Sequence, residues 1–305
     1  MSEEVRGRRD IVLYLLQRFG WGLLVIWLVL SATWVMVQLK PERSGGLGGP
    51  GASPESSPSL LTQYLTWVGD YLTLNWGQSV LETWATAAPV TLAYLLPSLI
   101  FATLIGVGLA TYGAVRPGGL IDRFVSGLSY MGVSVPTFVI AELTILIGIK
   151  QLGIYRVYNP NSQLLAYENV VGFTLPAAIL TVSLVGIVAR YSRNESLSHL
   201  NREFVKTAKS KGAGRLRLAA HVFRNAWLAL AQLLFSETVG LLFLGTIVLE
   251  QVFSLPGIAS AIFQGFQEPN EPLVISAALV AVVIGVIGTW IQDIGRVFLM
   301  PVDDQ

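Results

Sequence analysis

Two histidines, His199 and His221, and two acids set in apolar stretches, Glu142 and Glu237, are the places where chemistry would have to begin in this 305-residue chain. Both histidines fall in a basic segment, Arg190–Asn225, so an apolar stretch holds no Ser–His pair and an intramembrane hydrolase is disfavoured. They are also too far apart in sequence to form a local metal motif. The absence of cysteine excludes disulfides, thiolate catalysis and Cys-ligated zinc. There is no G-x-x-x-x-G-K-[ST] phosphate loop, hence no built-in nucleotide hydrolysis. Gly46 to Gly51 matches G-x-G-x-x-G, but that fingerprint needs a strand before it and a helix after it, and here prolines flank and interrupt it. The expectation is a chain with no catalytic residues, no metal site and no cofactor of its own.

Glu142 and Glu237 are a different matter. An ionised carboxylate inside a membrane is costly, so such residues usually face a bundle interior or a wet cavity. One reading is a proton relay or cation site. The other is a protonated or hydrogen-bonded carboxyl at a helix interface, or one facing a substrate path without ion coupling. Only two acids and no buried Arg or Lys partner weigh against the relay.

Those residues need elements to hold them, and the composition says which. The chain is 53 % hydrophobic and 13 % charged, with a mean hydropathy of +0.60; soluble domains carry about 25 % charge. A hydrocarbon core of ~30 Å takes about 20 apolar residues in a helix, because lipid offers no partner to exposed backbone groups. Six stretches qualify: Phe19–Leu39, Pro89–Val115, Phe124–Ile149, Val170–Ala189, Ala226–Leu249 and Leu273–Gln292. The fold class expected is all-α, a polytopic membrane protein with six transmembrane helices. Sixteen Lys/Arg fall on one set of alternating segments and four on the other, which places both termini in the cytoplasm. The first stretch exceeds a 7–15-residue signal-peptide core and reads as a retained anchor.

The chain therefore divides into a cytoplasmic N-terminus (1–18), a first span (19–39), an external segment (40–88), a five-helix core (89–300) and a tail (301–305). Within the external segment, Pro41–Ser59 is a Gly-, Pro- and Ser-rich linker. Leu60, Leu61, Tyr64, Leu65, Val68, Tyr71 and Leu72 then recur at helical spacing. They predict an interfacial helix with Trp67, Tyr71 and Trp76 at headgroup level, packed against the outer ends of the spans.

Within the core, the segment Arg190–Asn225 carries nine Lys/Arg against Glu195 and Glu203. Positive-inside topology and anionic headgroups account for much of this. Its apolar positions are ordered as well. Phe204, Ala208 and Lys211 share a helical face, Gly212-Ala213-Gly214 breaks the helix, and Leu216, Ala219, Ala220 and Phe223 resume a pattern. A helix, a glycine turn and a second short helix suit docking into a groove on a soluble partner; from pattern alone, passive membrane contact stands equally open.

The run from Glu203 to Gly212, followed by His221 and Arg224-Asn225-Ala226, resembles the cytoplasmic loop of ABC-importer permeases, above all the B-type subunit of the dipeptide/oligopeptide/nickel group. The general motif there is E-A-A-x-x-x-G. This chain reads Lys206-Thr207-Ala208-x-x-x-Gly212, closer to the V-R-T-A-R-A-K-G of the peptide group. Tyr64–Trp67 and Trp76-Gly77-Gln78-Ser79 resemble external Y-L-x-W and L-G-x-S segments. Arg116–Arg123 resembles the second cytoplasmic loop, and Ser134–Phe138 the S-I-P-x-F opening of the third span. Glu250–Ile258 is similar to E-x-x-F-x-x-P-G-[LI], an external re-entrant turn. Asp293 and Pro301 stand where a terminal D-x-x-Y-…-D-P-R would be, with Arg296 for the Tyr and Met300 for the second Asp. Glu142 and Glu237 are not part of this pattern.

The resemblance implies a type I ABC importer permease fold in the plasma (inner) membrane. It also implies a second permease subunit, two ABC ATPase subunits that use ATP and Mg, an external solute-binding protein and membrane lipid as partners, and no nucleic acid. Glu203, Phe204, Lys206, Thr207, Ala208, Lys211 and Gly212 would couple to the ATPase, with Lys206, Lys209 and Arg215 supplying steering charge. Trp67, Gly77, Glu250, Phe253, Pro256 and Gly257 would form an external gate or binding-protein contact, and Pro136, Glu142 and Glu237 would line the pathway. The rival expectation is an ion-coupled secondary transporter using Glu142 or Glu237.

Overall fold

A computed structural model describes residues 8–39, 59–149, 157–200, 202–224, 227, 245–268 and 270–299. Among these, every regular element is a helix. Four helices are long and apolar enough to cross a membrane: Ile11–Gln38, Gln78–Ala114, Tyr167–His199 and Glu271–Gly295. They answer to the expected first, second, fourth and sixth spans; most of the expected fifth, with Glu237, lies outside the described residues.

In chain order the helices are α1 (Arg8–Gln38), α2 (Leu60–Leu72), α3 (Gln78–Ala114), α4 (Leu120–Ser134), α5 (Thr137–Thr144), α6 (Tyr167–His199) and α7 (Glu203–Ser210). After them come α8 (residues 215–224), α9 (Thr246–Val252), α10 (Ile258–Gln267) and α11 (Glu271–Leu299). The chain forms two compact units, one of residues up to Glu82 and from Gln264, the other Thr83–Phe263.

In the first unit α1 packs on α11. The Phe19 and Trp290 rings stack at 4.2 Å, and the Tyr14 hydroxyl donates to Asp293 at 3.0 Å. The predicted interfacial helix is α2, begun by the Ser59 hydroxyl accepting from the Thr62 amide. It meets α1 through a 2.7 Å hydrogen bond between the Ser31 and Tyr64 hydroxyls.

In the second unit Tyr94 and Leu95 of α3, Leu180 and Leu184 of α6, and Leu249, Phe253 and Leu255 form one buried cluster. Lipid is as apolar as these side chains, so such helices are held by close packing and by hydrogen bonds across the interface. The Ser98 hydroxyl, within 3.0 Å of the Ala177 carbonyl, is one of these bonds between α3 and α6.

Three expectations shift. The second span does not begin at Pro89: α3 starts at Gln78 and carries Pro89 and Pro97 within it. At 1.5 Å per residue, its 37 residues reach about 55 Å, well past the bilayer core. The third span is not continuous. Pro136, extended at φ −59° and ψ 135°, separates α4 from α5, and α5 ends in a π-helical turn, Ile145–Ile149. Proline drives the residue before it out of the helical region, so α4 stops at Ser134 and Val135 stands outside it. Finally, the basic segment is not a loop from Arg190, because α6 runs on to His199.

Candidate functional site

The basic segment folds as a closed knob. Val205 of α7 is buried against Leu218 and Val222 of α8, with Ala208 and Ala213 packed at the edge. The turn between the helices is fixed by backbone bonds. Gly212 N–H donates to the Lys209 carbonyl at 2.9 Å, and Ala213 N–H to the Ala208 carbonyl at 3.1 Å. This pair of bonds is a Schellman cap, which requires a left-handed residue at its centre. Gly212 takes φ +73° there, a conformation that L side chains adopt only with strain.

Of the residues expected to couple, Glu203, Lys206, Thr207, Lys211 and Gly212 are exposed, and Ala208 is half-buried against its own chain. Phe204 lies on α7, its side chain outside the described ones. Lys206 donates to Glu203 at 2.7 Å across one turn of α7. The resumed pattern beyond the glycines is displaced from the expected one. Leu218 and Val222 face inward, while Leu216 is 76 % exposed and Phe223 45 %.

A second feature ties this region to the α3–α4 turn. The Arg193 guanidinium donates to Asp122 at 2.6 and 3.0 Å, and the Gly118 amide donates to the same carboxylate at 2.9 Å. Hydrogen bonding from Arg193, against the cost of burial, holds the Asp122 carboxyl below its ordinary value of 3.8. A lowered folded value means that the pair stabilises the protein above pH 3.8 and that the contribution drains away as pH falls through the depressed value. Asp122→Asn is expected to cost about 1–2 kcal/mol at neutral pH, since Arg193 is partly exposed and water replaces some of what is lost. Thermal unfolding of the two proteins should differ at pH 7 and converge on acidification below about pH 4. A gap that persists unchanged there would contradict this origin.

The turn from α9 to α10 is built on a carboxylate. Glu250 is buried; its Oε1 accepts from the Thr91 hydroxyl at 2.6 Å and the Tyr94 hydroxyl at 2.9 Å, and its Oε2 from the Ser260 amide at 2.6 Å. Thr91 in turn accepts from the Ile258 amide at 2.9 Å. Gly257 lies against this carboxylate so closely that a Cβ there would overlap it. Glu250, Phe253 and Gly257 are therefore not available as a contact surface for an external protein, because burial encloses them. They set the shape of the turn, and Pro256 is exposed on it.

Trp67 is half-buried on α2, its ring 4.5 Å from that of Tyr71, and Gly77 is exposed at φ +91°. Burial, with Glu271 and Asp70 nearby, raises the Tyr71 hydroxyl to about 12. Pro136, just before α5, and Glu142 on it are exposed on the chain's surface, as are Phe138 and Leu143. Glu142 thus lies outside this chain's own core, which leaves, of the expected settings, a substrate path or an interface beyond this chain.

Residues 102–295 match the family described as binding-protein-dependent transport system inner membrane component. Among curated proteins, the dipeptide transport system permease protein DppB of Lactococcus lactis subsp. cremoris is 27 % identical, over 93 % of this chain and 96 % of its own length. The oligopeptide transport system permease protein AppB of Bacillus subtilis is 27 % identical, over 76 % of this chain and 77 % of its own. A putative peptide permease protein of Brucella suis is 29 % identical, over 72 % of each.

Proposed function

The chain belongs to the family of binding-protein-dependent transport system inner membrane components, and from that premise we propose that this multi-pass ABC permease subunit carries dipeptides or oligopeptides. The substrate class follows the names of its relatives, which are dipeptide and oligopeptide permeases. The observation that carries the mechanism is the Schellman-capped α7. It is a short helix with Lys206, Thr207 and Lys209 outward, Lys211 exposed at its C-cap and Val205 anchored inward.

In this reading α7 seats in a groove on an ATPase subunit, on the cytoplasmic side where Lys and Arg concentrate. Two such ATPases use ATP and Mg; this chain is not an enzyme. Closure of the ATPase pair moves the knob as a body, and the α7–α8 core passes the motion to the spans. Pro136 at the start of α5 and Glu142 on it, both exposed, are available to a pathway shared with a second permease subunit. The α9–α10 turn and α2 face an external solute-binding protein, with Trp67, Gly77 and Pro256 as the accessible residues.

The decisive experiment is reconstitution. The chain, its second permease and both ATPases are placed in proteoliposomes with a labelled dipeptide and its binding protein. Uptake is expected only with ATP on the ATPase side. Uptake by the chain alone under a clamped proton gradient would overturn the assignment in favour of the secondary transporter.

Among the described residues, Lys209 and Lys211 carry no ion pair and supply the steering charge. Lys209→Gln with Lys211→Gln should slow ATPase association several-fold at roughly 20 mM salt and barely at roughly 0.5 M, where the screening length is only a few ångström. Equal slowing at both would contradict electrostatic steering.

A further inference from the structure

A cavity of about 480 Å³ opens at the turn between α3 and α4, lined by Tyr112, Arg116, Arg123 and, from α8, Arg215. All three arginines are exposed, and none has an ion-pair partner among the described residues. The acid in the same wall, Asp122, is already taken by Arg193. The cavity therefore presents three uncompensated positive charges and no free negative one. It does not rest on sequence alone: Arg116 and Arg123 come from one turn and Arg215 from a segment about ninety residues on, brought together by the fold.

A second cavity of about 310 Å³ follows along the same two helices. Thr103, Leu104 and Val107 of α3 and Ala219, Ala220 and Phe223 of α8 line it. Thr111 lines this groove and Tyr112 lines the basic one, so the two meet at adjacent residues of α3. From Ala114 back to Thr103 the helix rises about 17 Å into its membrane-spanning stretch. Leu120, 86 % exposed, and Leu216, 76 % exposed, flank the charged end.

A compact cationic end joined to an apolar trough running into the bilayer matches one kind of molecule. We propose that this is a binding site for an anionic diacyl phospholipid, its headgroup phosphate among Arg116, Arg123 and Arg215 and an acyl chain along the α3–α8 groove. Basic pockets at the membrane boundary take such headgroups, and guanidinium groups fit phosphate oxygens in pairs. A soluble anion would use the arginines and leave the groove idle. The inference assigns to Arg215 a lipid role in place of steering an ATPase, and it does not require the cargo to be a peptide.

The test uses the assembled transporter in nanodiscs of equal phosphatidylglycerol and phosphatidylcholine. The complex is extracted into mild detergent, and the retained lipid is counted by native mass spectrometry. Phosphatidylglycerol should be kept in preference to phosphatidylcholine. R116Q/R123Q/R215Q should lower its retention about tenfold or more, and the triple lysine variant, which keeps the charge but loses the paired fit, should lower it less. Ala220→Trp, which fills the groove and leaves every charge in place, should also lower retention; it keeps the proposal open to test if the glutamine variant fails to assemble.

Equal retention of the two lipids would overturn the proposal, as would phosphatidylglycerol retention unchanged in the glutamine and tryptophan variants. Inorganic phosphate binding that needs the arginines, with lipid retention indifferent to Ala220→Trp, would assign the pocket to a soluble anion and overturn the lipid. Loss of ATPase subunits from the glutamine variant with lipid retention intact would assign the arginines to the ATPase and overturn it as well.

Discussion

Gly257→Ala is expected to collapse the α9–α10 turn, lowering stability by about 3 kcal/mol or more. The added methyl group would occupy the place of the Glu250 carboxylate. That carboxylate cannot step aside cheaply, since Thr91, Tyr94 and the Ser260 amide all donate to it. Moving it leaves a buried carboxyl and its donors unpaired, one of the costly changes available to a folded chain. Glu250→Gln is the milder comparison. The amide nitrogen must face either the Ser260 N–H, which can only donate, or the Thr91 and Tyr94 hydroxyls, which can turn to accept, so the loss is confined to one side of the group. Thermal unfolding in detergent should rank the unaltered chain first, Glu250→Gln second and Gly257→Ala last. Tolerance of alanine at 257 with an unchanged melting temperature would refute the packing argument.

Gly212→Leu should cut uptake tenfold or more while the protein remains inserted and folded. No atom lies within 4 Å of a Cβ built at this position, so bulk is not the obstacle. The obstacle is φ +73°, which costs a branched residue about 1–2 kcal/mol and favours release of the Schellman cap. With the cap open, α7 no longer moves as one body with α8, and ATP turnover by the partner should continue without transport. Gly212→Asn separates conformation from side-chain size, because asparagine visits the left-handed region readily. It should retain most of the uptake. Equal uptake by the leucine variant at normal expression would remove α7 from the coupling route.

How much of this could be read beforehand depended on distance along the chain. The spans answering to α1, α3, α6 and α11 are legible because lipid exposure makes them apolar on nearly every side. The turn at Gly212 is legible because it rests on one residue's backbone, whereas the break at Pro136 is hidden inside an apolar run that reads as one span. The Glu250 corner is only half legible. Its motif is local, but its hydroxyl partners lie 159 and 156 residues away. The inward faces of α7 and α8 are not legible because the eight residues of α7 offer too few turns to fix a period and the apolar positions of α8 fit more than one face. Val205, Leu218 and Val222 are ordinary apolar residues whose role appears only when the two helices close on each other. The Asp122–Arg193 pair left no signal at all, since charge near a membrane boundary looks the same paired or free.

The Glu250 corner also has a calendar. Thr91 and Tyr94 leave the ribosome more than 150 residues before the acid they hold, about 8–30 s at ordinary rates of synthesis. Throughout that interval both hydroxyls stand in the nascent chain with nothing to serve. The corner is therefore among the last seams to seal during biogenesis, and a chain stalled before its final third leaves the ribosome with that seam open to quality control.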